Sequence, residues 1–303
     1  MMNALISLAV LATGAAAQSC GVSCPIIFDG RVPANATVQD FDTAGGGGFN
    51  PYNPGFVKGN DLLWSDILKL PAVGEASLFD AGAGARALEV TISDKSIFQK
   101  QLGFRRAGLL FNKDSNTGSP GSKGVVTFHY SLQTDAARPL NLSHEYLLAW
   151  HEAADFSGNQ FNFNAGTLIG RENATRPNTY KLQTRKNELL WETEILDGEW
   201  QNFAITLNFD DNTLAASYSK GNEPLQPVLA PTPNDNSGEG QYQFGILKKP
   251  TGTDDVVNSG FQSSNLNEGL IYGSVFVENS TGGCISTRGG AGRLRHRRRT
   301  MRV

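Results

Sequence analysis

Histidine and cysteine are scarce in this 303-residue chain, with four of the former and three of the latter. None of them clusters at metal-ligand spacing, so the sequence offers no zinc site and no other metal centre. Long amphipathic helices are also missing. The nearest candidate, Asn60 to Leu70, is short and is ended by Pro71. There is no Gly-x-Ser-x-Gly elbow, no His-Glu-x-x-His, no phosphate loop, and no dinucleotide-binding glycine pattern leading into a helix. The glycine run Gly45 to Gly48 lies in an Asn/Pro-rich stretch and reads as loop. No repeat of fixed period occurs, which disfavours a propeller. The chemistry that remains available is that of carboxylates.

Apolar runs are equally few. Ala4 to Ala17 is the one long unbroken run of apolar and small residues without a charge, and it ends in three alanines before Gln18. That pattern reads as a signal peptide over residues 1–17, too short for a bilayer span of roughly 20 apolar residues. The expectation is therefore export to the extracellular space, with no membrane span. The opposite end, residues 287–303, carries seven arginines and no acid. It reads as a basic, disordered tail. Without those arginines the formal charge of −3 becomes −10. So acidic a body gives no reason to expect a nucleic-acid partner.

What the chain does have is turn residues, 34 glycines and 13 prolines, set between segments of period-two alternation. Such segments run from Ala87 to Ile92, Gly103 to Phe111, Gly124 to Leu132, Glu145 to Glu152 and Gln160 to Ile169. Others run from Tyr180 to Thr184, Leu189 to Glu194, Trp200 to Phe209, Thr213 to Ser219, Gln241 to Leu247 and Leu270 to Glu278. So many strands without helices predict an all-β fold, a β-jelly-roll sandwich of two antiparallel sheets. It would fill residues 18–286 as a single domain and work as a monomer. In an oxidising compartment Cys284 can bridge to Cys20 or to Cys24. Asn35, Asn141, Asn173 and Asn279 each head an Asn-x-Ser/Thr sequon and are candidate glycosylation sites.

Alternation also sorts the polar residues. Arg106 shares a strand face with Phe104 and Gly108. Glu145 shares one with Leu147, Ala149 and His151, while Trp150 and Glu152 point the other way. A carboxylate on a sheet face beside an arginine or histidine can do acid, base or nucleophilic work. Glycoside cleavage ordinarily needs two of them. Solvated strand residues are the competing reading for the acids, and core packing for Trp150 and Tyr242.

Several stretches then carry a resemblance: IIFDGRVPANAT (26–37), FNPYNPGFVKGNDLLWSDILKLP (49–71), GFRRA (103–107), RPLNLSHEYLLAWHEAADFSGNQF (138–161), NDNSGEGQYQFGILKKPTG (234–252) and NEGLIYGSVFVE (267–278). In order and nearly without gaps, from about Pro25 to Ser286, the chain resembles glycoside hydrolase family 131. The resemblance implies a jelly roll, extracellular fungal origin, no cofactor, and hydrolysis of β-1,3-, β-1,6- and β-1,4-linked glucans. It also implies that Glu145 is a catalytic acid with Arg106 as its electrostatic partner. His151, Trp150, Tyr242 and Gln243 would line the substrate cleft. One departure stands out: the family's Phe-Arg-Arg-Ala-Glu ends here in Gly108, where the family has a second proposed acid. Leu147 stands where the family usually has Gln, and Gln201 and Gln243 where it tends to have His. Glu152 and Glu89 are the candidates for a substitute acid. The alternative function is a glucan-binding protein that no longer cuts.

Overall fold

A computed structural model of the chain describes residues 21–289. The expected leader, Cys20, and the tail from residue 290 lie outside the described residues. The strands in chain order are β1 (Ile26–Asp29), β2 (Val32–Pro33), β3 (Leu68–Lys69), β4 (Ala85–Arg86), β5 (Leu88–Ser93), β6 (Arg105–Leu110), β7 (Val125–Thr134) and β8 (Glu145–Glu152). There follow β9 (Asn159–Gly166), β10 (Thr179–Thr184), β11 (Leu189–Glu194), β12 (Gln201–Asn208), β13 (Thr213–Lys220), β14 (Gln226–Pro233), β15 (Gln241–Lys248) and β16 (Asn267–Asn279). Each alternating segment read from the sequence forms one of these strands. The short helical candidate Asn60 to Leu70 holds a single turn, Trp64–Ile67, and the chain passes at once into β3.

Two antiparallel sheets face each other as a β-sandwich of jelly-roll type. One runs β14-β13-β12-β7-β16-β5-β3, with β1 also paired to β16; the other runs β11-β10-β9-β8-β15-β6. Alternation turns one face of each sheet inward, and that shared interior is rich in aromatic rings. Phe128 and Tyr130 of β7, Phe203 of β12 and Tyr272 of β16 meet Phe163 of β9, Tyr180 of β10, and Tyr242 and Phe244 of β15. Burying such rings gives each sheet a strong preference for one register, because a one-residue slip would turn them all to solvent.

Strand β14 was not legible as a strand. Pro227, Pro231 and Pro233 interrupt its pattern, and it is tolerated because β14 is an edge that pairs only with β13. The two ends of the domain are clasped together. Cys24 bonds Cys284, which resolves the choice left open by the sequence. Beside the bridge, Ser286 donates to Glu278 through both its amide (2.8 Å) and its hydroxyl (2.6 Å), and His129 approaches the same carboxylate at 2.8 Å. Order extends slightly past the expected boundary, since the Leu225 amide donates to the Thr287 carbonyl at 2.8 Å.

Candidate active site

The outer face of the six-stranded sheet carries the site, and a bulge decides what it contains. Leu148 and Ala149 are consecutive in β8, yet both belong to the core. The register of β8 slips against β9 between Leu147 and Ala149, and that of β15 slips against β8 between Phe244 and Leu247. The slip resets the alternation, so Trp150 and Glu152 turn outward on the same side as Glu145 and Leu147. Gly245 makes the β15 half of this possible. Its φ is +140°, and a Cβ there would come within 2.2 Å of the Ala107 carbonyl. The bulge is met from the opposite sheet, where the Tyr272 hydroxyl donates to Gly245 O at 2.6 Å and reaches Leu148 O at 3.0 Å.

Simple alternation therefore misplaces half of β8. Glu152 is not on the opposite face from Glu145, and His151 does not face the cleft. His151 is fully buried, its Nδ1 2.9 Å from Gln160 Oε1 and its Nε2 3.2 Å from the Ser122 hydroxyl. Burial, only partly countered by Gln160, pushes it down to about 4, so it is neutral at ordinary pH. Tyr242 is likewise closed inside the sandwich, packed on Phe128 and His151. Neither residue can touch a substrate in the cleft.

Arg106, Trp150 and Gln243 do come together. They line a cleft of about 760 Å³ with Phe56, Phe98, Phe156 and Glu152 among its walls. The Arg106 guanidinium lies over Phe98 (5.8 Å) and Trp150 (6.0 Å) and bonds Gln101 at 3.1 Å. Burial pulls it down to about 10, partly offset by the charge of Glu152, so it remains a cation at neutral pH. Gln243 donates from Nε2 to Glu152 Oε2 at 2.5 Å. Its other end is idle: Gln243 Oε1 and Arg106 Nε are buried without a hydrogen-bond partner. Buried polar atoms are rarely left so, and both belong to side chains on the cleft wall. Phe56 and Phe156 at the rim are 47% and 66% exposed, enough to offer flat apolar faces to a ligand.

Glu145 lies next door, in a hollow shared with Lys249, Asn162, Asn164 and Arg185. Phe104, Leu147 and Leu247 form the ridge between hollow and cleft. The expected Glu145–Arg106 pair is not formed. Glu145 instead accepts from Lys249 Nζ (2.5 Å), Asn164 Nδ2 (3.0 Å) and the Ile169 amide (2.9 Å). A nearby residue missed by sequence reading is Lys181. It is wholly buried and donates only to the Gly166 and Thr179 carbonyls. Burial, opposed by Glu192 and Glu145, lowers it to about 8. Its alternation on β10 was visible, but nothing in the sequence marked it as buried. Glu89 is removed from consideration as a cleft acid: it lies on β5 in the other sheet and pairs with Arg138 at 2.5 and 2.8 Å. Among the described residues no group of three or more His, Cys, Asp or Glu could hold a metal ion.

Fold and site together define an antiparallel β-sandwich with an aromatic, acid-bearing cleft on the outside of one sheet. Residues 26–283 match the glycoside hydrolase 131 catalytic N-terminal domain, and the chain belongs to that family. Two solved structures share the fold. The GH131 β-glucanase catalytic domain from Podospora anserina aligns at 20% identity with a TM-score of 0.68, over 87% of this chain and 98% of that one. The catalytic domain of the family 131 protein from Coprinopsis cinerea aligns at 19% identity with a TM-score of 0.65, over 89% and 99%. Among curated proteins no sequence matches significantly.

Proposed function

We propose that this protein is an exported glycoside hydrolase acting on β-1,3/1,6- and β-1,4-linked glucans of fungal or plant cell walls, with turnover lowered by Gly108. The observation that carries this reading is the cleft itself. Phe56 and Phe156 offer exposed ring faces of the kind that stack on sugars, above a wall that holds the buried Trp150, and Glu152, Arg106 and Gln243 add a carboxylate, a cation and an idle acceptor. Of the binding residues expected from the sequence, Gln243 and Trp150 line the cleft. Export is supported by the Cys24–Cys284 bridge and by exposed Asn35, Asn141, Asn173 and Asn279. No helix among the described residues is long and apolar enough to cross a membrane.

One observation favours a second reading, glucan binding without turnover. At Gly108 there is no side chain, and the Trp150 ring occupies the adjoining space. Two assays on the purified protein separate the readings. Sedimentation with insoluble β-1,3-glucan reports binding, and reducing-sugar release from laminarin reports cutting. Binding with slow release is expected. Binding without release selects the second reading, and failure in both assays refutes the glucan assignment.

A further inference from the structure

Glu152 is the one carboxylate among the described residues lining the cleft, and no histidine lines it with Glu152. The Gln243 amide donates to it at 2.5 Å, and Arg106 lines the same cleft as a cation. Gly108 contributes nothing that could ionise, and Glu145 is tied up beyond the Leu147 ridge by Lys249, Asn164 and Ile169. The cleft thus has a seat for a base and none for a proton donor.

Resting on the glycosidase reading above, we infer that Glu152 is the working base of this chain and that the cleft lacks a general acid, so it cleaves β-glucosides whose leaving group needs no proton. For a β-glucosyl fluoride the step closes on itself. The oxygen of a water forms a bond to C1, the C1–F bond breaks, and fluoride departs with the bonding pair. The proton released by the water passes to the Glu152 carboxylate and on to solvent. For a glucan the leaving oxygen would depart as an alkoxide, with no group in the cleft to protonate it. Acid–base assistance is typically worth 10²–10⁴-fold, so the preference for the activated substrate is large.

The test uses the purified full chain with β-laminaribiosyl fluoride, following fluoride release, and with laminarin, following reducing sugar. Wild type should release fluoride above the buffer rate and outpace its laminarin turnover by at least about 100-fold. Glu152→Gln should lose about 100-fold or more of the fluoride release while keeping its melting temperature. Glu152→Ala should regain release with added azide, forming the laminaribiosyl azide, a rescue that a merely structural role would not produce. Wild type that binds insoluble β-1,3-glucan but releases no fluoride overturns the inference and leaves the glycan reading standing. So does release that survives Glu152→Gln. Laminarin turnover equal to fluoride turnover shows that an acid is present and overturns it too. A protein that neither binds glucan nor releases fluoride removes both readings.

Discussion

The Trp150 indole lies against Gly108: a Cβ built at Gly108 comes within 3.3 Å of Trp150 Cη2 and 3.7 Å of Gln243 Oε1. Gly108 is paired across to Gly245 and bonded through its own backbone to Val57 on the other side, so it cannot retreat. A side chain at this position therefore requires the Trp150 ring to give by a few tenths of an ångström.

Placing an acid at 108 consequently involves two residues. Gly108→Glu alone should destabilise by about 1–3 kcal/mol, as overpacking does. Trp150→Leu alone should cost up to about 3–5 kcal/mol through the cavity it leaves. The double variant should cost less than the sum, with a coupling of roughly 0.5–3 kcal/mol. Urea denaturation of the four proteins measures this directly; strict additivity would mean the two positions do not compete for space.

The two glutamates of β8 should separate by stability. Glu145 is nearly buried and accepts from three donors, so Glu145→Gln places an amide NH₂ against at least one of them and should cost about 1–3 kcal/mol. Glu152 is half-buried at the cleft wall with one donor, and Glu152→Gln should change stability by less than about 1 kcal/mol. Equal losses for the two variants would contradict the division of roles drawn here.

Much of this was legible in advance, and the gaps have physical causes. Strand positions followed from alternation, because half-buried strands must alternate. Site facing did not, because the β8–β15 bulge is held by Tyr272 from the other sheet, a contact that local sequence cannot show. The phase error put His151 outside and Glu152 on the wrong face. Tyr242 departs from expectation for a different reason: alternation gives its phase but not which phase faces the core. Arg106 and Gly108 were paired correctly because β6 has no bulge. The partner of Glu145 was missed because Lys249 lies just past the end of β15, some hundred residues away in sequence.

Stability should depend on pH through two buried acids away from the cleft. Burial, only partly offset by hydrogen bonds from Ser77 and Ser274, pushes Asp80 up to about 6; burial likewise raises Asp114 to about 6 against Ser119 and the Tyr242 amide. Both ionise near 3.8 when unperturbed, so between pH 4 and 6 the folded chain holds more protons than the unfolded one. Each acid therefore supports folding fully below about pH 4, and that contribution is lost as pH rises through 6. The loss is on the order of 3 kcal/mol per group, from about two units at 1.36 kcal/mol each. Asp80→Asn should gain on wild type steadily from pH 4 to pH 7 in urea denaturation. A pH-independent difference between the two proteins would contradict it.

The terminal bridge should contribute heavily, because Cys24 and Cys284 are separated by 260 residues. Closing so long a loop in the unfolded chain is worth up to about 5 kcal/mol. Cys284→Ser should lower the denaturation midpoint accordingly, and added reductant should move wild type toward the variant without moving the variant. Coincident midpoints for wild type and variant would remove the bridge from the stability of the domain.

The most direct measurement is a crystal structure of the protein with a β-1,3-gluco-oligosaccharide bound. The account predicts sugar rings along Phe56 and Phe156 with an anomeric carbon facing Glu152, and hydroxyls on Gln243 Oε1 and Arg106 Nε, the two cleft atoms now without partners. An oligosaccharide seated instead in the Lys249 hollow, against Glu145, would contradict it.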